Sequence, residues 1–251
     1  MSLLARALLV VGIAATTACA AEPVRVQEGV AFAPGLRADL YLPGEAHEGP
    51  AVVLLHGGGF RSGDRGEMER TARGLADRGI VAMSVDYRLS QGDWFPAQSL
   101  DDPALREAAA RARDDALRAV AWLRSQSARL GFDRRRIVVA GFSAGGIAAL
   151  EAATHGDAVA GAFAISGAAA DLSALDAGDP PLAAAHGAND RIVPLALAQA
   201  TCARAQQVGV SCELQVFSGV GHDLVGIERK RLLESLVAFA ERVPRRGPEG
   251  P

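Results

Sequence analysis

Apolar residues are spaced along this chain in three distinguishable ways. In "VRVQEGVAF" (24–32) and "LRADLYLP" (36–43) apolar and polar positions alternate, as in strands with one solvated face, and "APG" between them supplies a turn. These segments predict an antiparallel opening pair. Unbroken apolar runs follow at 51–55 ("AVVLL"), 80–85 ("IVAMSV"), 136–142 ("RIVVAGF"), 159–167 ("VAGAFAISG") and 181–187 ("PLAAAHG"), with "CELQVF" at 212–217. Runs of this kind suit strands buried on both faces of a sheet. Between them the period lengthens to that of a helix: 68–79, 115–131, 144–156, 195–209 and 224–243. The polar stretch 90–114 is read as an insert leading into the helix at 115, and 244–251 ("PRRGPEGP") as a disordered tail.

Strands that alternate with helices predict an α/β fold, a mostly parallel central sheet with helices on both faces. Neither an internal repeat nor a low-complexity linker divides the chain, so 21–243 reads as one domain. The 251 residues are 49% hydrophobic and 22% charged, ordinary for a globular protein, and the net charge is −3 with no basic cluster interleaved with aromatics. Nucleic acid is therefore not an expected partner.

The first twenty residues, "MSLLARALLVVGIAATTACA", have a different character. Arg6 precedes a short apolar stretch, and Ala18-Cys19-Ala20 gives an A-x-A cleavage site, so 1–20 reads as a secretory signal peptide. The apolar run is short for a membrane span, and the mature chain is expected to have none. The expected location is secreted or periplasmic; lipidation at Cys19 is an alternative, although "TTAC" lacks the usual bulky aliphatic residue. In an oxidising compartment Cys202 and Cys212 either pair or remain two buried thiols.

Ligands of parallel sheets bind beyond the carboxyl ends of the strands. Ser143 lies there in "GFSAGG", Asp190 in "ANDRIVP" and His222 in "SGVGHDL", each after a separate predicted strand. A serine hydroxyl needs a base, imidazole titrates near working pH, and a carboxylate fixes the imidazole tautomer. Ser143, His222 and Asp190 are thus the candidate catalytic residues, as nucleophile, acid–base and orienting group. His56 and His186 precede glycines and suit structural roles; Asp223, Asp176 and Asp179 are the competing carboxylates. Glycines at 57–59 let backbone N–H groups approach a substrate, and with the N–H of Ala144 they could bind an oxyanion. Phe60, Phe142 and Trp94, with Phe95 beside it, are candidates for lining a substrate cleft; loop aromatics equally plug small satellite cores. No residue spacing calls for a metal or a cofactor.

"HGGGF" (56–60), "GFSAGG" (141–146), "HGANDRIVP" (186–194) and "GVGHDL" (219–224), in this order, resemble the α/β-hydrolase superfamily. The branch they resemble is the carboxylesterases and acetyl esterases. "VDYRLS", "FPAQ" and the text leading into "GFSAGG" extend the resemblance over roughly 50–240. It implies an α/β-hydrolase fold, Ser143 as nucleophile, His222 as base, Asp190 as its partner, and an oxyanion hole at Gly58, Gly59 and Ala144. Phe142 is bulkier than the branch's usual Asp or Gly. Only a short segment separates "AFAISG" from "PPLAAAHG", so no large cap domain is expected. The implied function is a secreted serine esterase acting on short-chain carboxylic esters, small molecules or acetylated or feruloylated carbohydrates. The alternatives are a serine peptidase related to prolyl oligopeptidase and a non-catalytic binding protein on this fold.

Overall fold

The alternating opening segments form β1 (Arg25–Ala33) and β2 (Leu36–Leu42), paired antiparallel. The apolar runs form β3 (Ala51–Leu55), β4 (Val81–Val85), β5 (Ile137–Phe142), β6 (Gly161–Ile165) and β7 (Leu182–Gly187), and "CELQVF" forms the partly exposed edge strand β8 (Cys212–Phe217). This computed structural model describes residues 23–44, 48–92, 95, 100–155 and 158–247. All eight strands join one sheet in the order β1-β2-β4-β3-β5-β6-β7-β8, in which only β2 runs against the rest.

Each unbroken run is apolar because both of its faces are covered. Val53 and Leu55 of β3 join a core with α2 (Pro103–Ser125) and α4 (Ala144–Ala153). Val52 and Leu54 face the other way, toward α1 (Glu69–Ala76) and α7 (Arg229–Arg242). On the α4 side α5 (Leu195–Gln207) covers β7 and β8. The short helices α3 (Ser127–Leu130) and α6 (Leu224–Ile227) complete the chain. Between β6 and β7 the chain makes only a 3-10 turn, Leu172–Ala174, so no cap domain enters there.

The structure departs from the sequence reading in three places. Helix α2 begins at Pro103, well inside the stretch read as insert. The Asp102 side chain caps the amides of Ala104 and Leu105, Pro103 suits the first helical position, and buried Leu105, Ala108, Ala109 and Ala112 continue the stripe of Ala116, Ala119, Val120 and Leu123. The helix predicted over 224–243 is two helices, broken at Glu228 (φ −112). The start of the expected disordered tail is held in place: Arg245 pairs with Asp133, and the Arg246 amide donates to the Arg135 carbonyl at 2.7 Å. The signal segment, Trp94 and 248–251 lie outside the described residues.

Cys202 of α5 and Cys212 of β8 are joined by a disulfide across a Cα–Cα distance of 5.2 Å. Among the described residues no helix is long and apolar enough to cross a membrane. The start of β1 and the segment after α7 both lie at the amino-terminal ends of the parallel strands, the pole opposite Ser143.

Candidate active site

The turn between β5 and α4 packs closely at the sheet's carboxyl edge. Ser143 has φ 55 and ψ −118, a conformation that costs a non-glycine residue about 1–3 kcal/mol and persists only where its surroundings enforce it. Two hydrogen bonds do so: the Ser143 amide donates to the Ile165 carbonyl of β6 at 2.7 Å, and its carbonyl accepts from Ile147 at 3.0 Å. Gly145 is required for a different reason. A Cβ there would overlap the carbonyl oxygens of Leu55 and His56, so the absent side chain lets the loop after β3 lie directly against the turn.

Ser143, His222 and Asp190 meet at the ends of β5, β8 and β7. His222 Nε2 lies 2.9 Å from Ser143 Oγ and its Nδ1 lies 2.8 Å from Asp190 Oδ2. With Nδ1–H donating to the carboxylate, Nε2 is left to accept the serine proton. Asp190 Oδ1 accepts the amides of Ile192 (2.8 Å) and Val193 (3.0 Å). Burial alone would push this carboxyl up, but the N–H groups of His186 and His222 and those two amides outweigh it and hold it well below the usual carboxylate range. Asp190 is therefore ionised at neutral pH. Asp223 instead caps α6 through the Gly226 amide, and Asp176 and Asp179 close a turn on each other, so none of the competing carboxylates meets His222.

The loop after β3 is shaped by two side chains. The His56 ring stacks on Tyr87 with centroids 4.2 Å apart, and its Nδ1–H donates to the Gly57 carbonyl at 2.8 Å. Burial pushes His56 below its ordinary value, which keeps it neutral at pH 7. The Tyr87 hydroxyl lies 3.0 Å from both the His56 and Gly57 carbonyls. Gly58 (φ 95) then turns the chain, its carbonyl accepting from Arg61 and Ser62. Gly58 and Gly59 thus follow a segment pressed against the Ser143 turn, while Ala144 opens α4, whose first amides have no partner inside the helix. Donors of this kind suit a negative charge developing beside Ser143.

The aromatic candidates divide. Phe60 is fully buried in the core and packs edge-on against Tyr87, so it presents no surface to a ligand; the expectation that it lines the cleft is corrected. Its backbone has a φ of 61. Phe142 is partly exposed and lies against the His222 ring at 5.2 Å. Two contributors went unnoticed in the sequence. Ser166 (φ 50), at the end of β6, donates its hydroxyl to the His222 carbonyl at 2.9 Å. Tyr87 was visible only as part of "VDYRLS". Among the described residues no group of three His, Cys, Asp or Glu side chains could hold a metal ion.

A profile of the BD-FAE family matches residues 38–164, half of the chain. The chain belongs to the BD-FAE family. BD-FAE is a carboxylesterase and lipase family of the α/β-hydrolase superfamily, and its match takes in the loop after β3 and the turn at Ser143. Asp190 and His222 lie beyond the matched stretch. This BD-FAE chain is 37% identical to esterase LipI of Mycobacterium tuberculosis over 39% of its own length and 27% of LipI. It is 36% identical to an ethyl acetate hydrolase of Pseudomonas putida over 43% of its length and 30% of that protein. The matched stretches thus span under a third of these relatives. In three dimensions it resembles esterase 2 of Thermogutta terrifontis, phosphoramylated by tabun (TM-score 0.71, 23% identity, 90% of this chain and 97% of that one). The propionate-bound form of that esterase gives a TM-score of 0.65 at 25% identity over 92% and 97% of the chains.

Proposed function

We propose that this protein is a serine carboxylesterase acting on short-chain esters. The observation that carries the reading is the continuous path of hydrogen bonds from Ser143 Oγ through His222 to Asp190, at a strained turn beside a glycine loop. Ser143 Oγ attacks the ester carbonyl while His222 Nε2 takes its proton. The oxyanion is held by amides of Gly58, Gly59 and Ala144, and Asp190 stabilises the imidazolium. His222 then gives the proton to the departing alkoxide, leaving the acyl group on Ser143. Water, deprotonated by the same imidazole, attacks the acyl carbonyl and releases the carboxylic acid.

Short acyl groups are favoured because no cap domain encloses the site among the described residues, and because the relatives include an ethyl acetate hydrolase and a propionate-bound esterase. Acetylated or feruloylated carbohydrates are natural ester classes for such a site. Export through the 1–20 signal segment would bring the enzyme to them, with 21–243 forming the catalytic domain.

Hydrolysis of p-nitrophenyl esters from acetate to palmitate tests the activity. Turnover should be greatest on the short chains and fall by about 10⁴-fold or more in Ser143→Ala, with the circular dichroism spectrum unchanged. Activity that survives the substitution would overturn the assignment of the nucleophile. Acetate and ferulate release from acylated xylan distinguishes the carbohydrate classes, and the N-terminal sequence of exported protein tests cleavage after Ala20.

A further inference from the structure

A second imidazole reaches Asp190 from inside the sheet. His186 lies on β7, fully buried, four residues before the carboxylate. Its Nε2 is 2.8 Å from the Val193 carbonyl and 3.2 Å from Asp190 Oδ2. Both neighbours are acceptors, so Nε2 carries the hydrogen, donating it to the Val193 carbonyl with Asp190 Oδ2 close beside it. Nδ1 then bears none, and it is buried with no hydrogen-bond partner among the described residues.

That arrangement costs stability. An aliphatic side chain at the same place would avoid the desolvation of an unpartnered buried nitrogen. The return lies at Nε2–H. Asp190 has room for about four donors: two amides on Oδ1 and His222 on Oδ2 take three places, and His186 Nε2 approaches Oδ2 at 3.2 Å beside the fourth. The titratable groups meeting the carboxylate are those two histidines; its other partners are backbone. Without His186, His222 is the one side chain left at Oδ2 among the described residues, and the carboxylate has a freer rotation about its Cβ–Cγ bond.

We propose that His186 is a positioning residue for the reaction: its Nε2–H, anchored on β7 and 3.2 Å from Asp190 Oδ2, fixes that oxygen and through it the orientation of the His222 ring toward Ser143. This rests on the Ser143–His222–Asp190 reading above. It also gives the "HG" of "HGANDRIVP" a task in the chemistry.

The test compares His186→Gln, which can offer an N–H at the same distance from the backbone, with His186→Leu and His186→Met, which offer none. Each is assayed on p-nitrophenyl acetate across pH 5–9, with thermal melting alongside. The Leu and Met variants should lose about 10- to 100-fold in kcat with little change in KM, the scale expected from small misplacement of a catalytic group. Their acidic limb of kcat/KM should move to higher pH, because Oδ2 with one donor fewer holds the imidazolium proton more strongly. The Gln variant should recover most of kcat and the wild-type limb. Equal losses in all three with an unmoved limb would reduce His186 to packing and overturn the proposal, as would wild-type kinetics in the Leu variant. A measurement on the unmodified enzyme needs no variant to fold: long-range ¹H–¹⁵N spectra at pH 8 should show His186 as the Nε2–H tautomer, and an Nδ1–H tautomer would overturn the role. Failure of the triad reading itself is distinguishable, because Ser143→Ala would then remain active.

Discussion

Two non-glycine residues of the site hold left-handed backbone, Ser143 and Ser166, and they do so for different ends. At Ser143 the conformation presents the hydroxyl; at Ser166 it lets the hydroxyl reach the His222 carbonyl. Replacing Ser166 by Ala or by Gly removes the same tether, so kcat should fall several-fold to equal extents. Stability should separate the two, with Gly tolerating the φ of 50 and ending about 1 kcal/mol above Ala in urea denaturation. Unequal kcat values with equal stabilities would mean that strain, not the tether, governs the site. The three candidate catalytic residues were legible in the sequence because each stands just beyond a strand, where residue type and order carry the signal. The Ser166 tether and the His186 contact were not, since the direction of a hydrogen bond is set by tertiary packing. Phe60 was misread for a related reason: an aromatic next to a glycine loop gives no hint of whether its ring faces the core or the cleft.

At the scale of elements, the strands were the most legible because five of them are buried almost throughout and their composition says so. Helix α2 was half missed. Its first turns are rich in Arg and Ala, which gives a weak apolar contrast, yet Ala packs them closely under the sheet. The start is encoded in Asp102-Pro103. Asp102→Ala should cost about 1 kcal/mol in chemical denaturation by leaving the amides of Ala104 and Leu105 uncapped, with hydrolysis unchanged. At the other edge of the sheet the disulfide ties α5 to β8 across a sequence separation of 10. Closing so short a loop limits the unfolded chain by about 2–3 kcal/mol, so the Cys202→Ser/Cys212→Ser double variant should lose that much stability in denaturant. A loss matched by reducing agent in the wild type, and absent in the variant, would attribute it to the bond.

For the whole molecule, acid stability should depend on the site. Asp190 holds its proton less tightly folded than unfolded, so it contributes stability fully above the ordinary carboxyl value, about 3.9, and loses it as the pH falls below that toward the folded value. Urea denaturation between about pH 5 and about pH 2 should therefore show a steeper decline for the wild type than for Asp190→Asn. Parallel curves would mean that other carboxylates dominate acid unfolding.

The polarity of the sheet has a practical consequence. The chain enters at Arg25 and leaves α7 at one pole, while Ser143, Asp190 and His222 gather at the other. A tether attached just before Arg25 or just after α7, whether a lipid, a cell-surface anchor or a chromatography resin, would hold the described fold with the candidate site turned outward. Immobilised enzyme coupled at either point should then process polymeric esters nearly as well as free enzyme, and coupling through random surface groups should not.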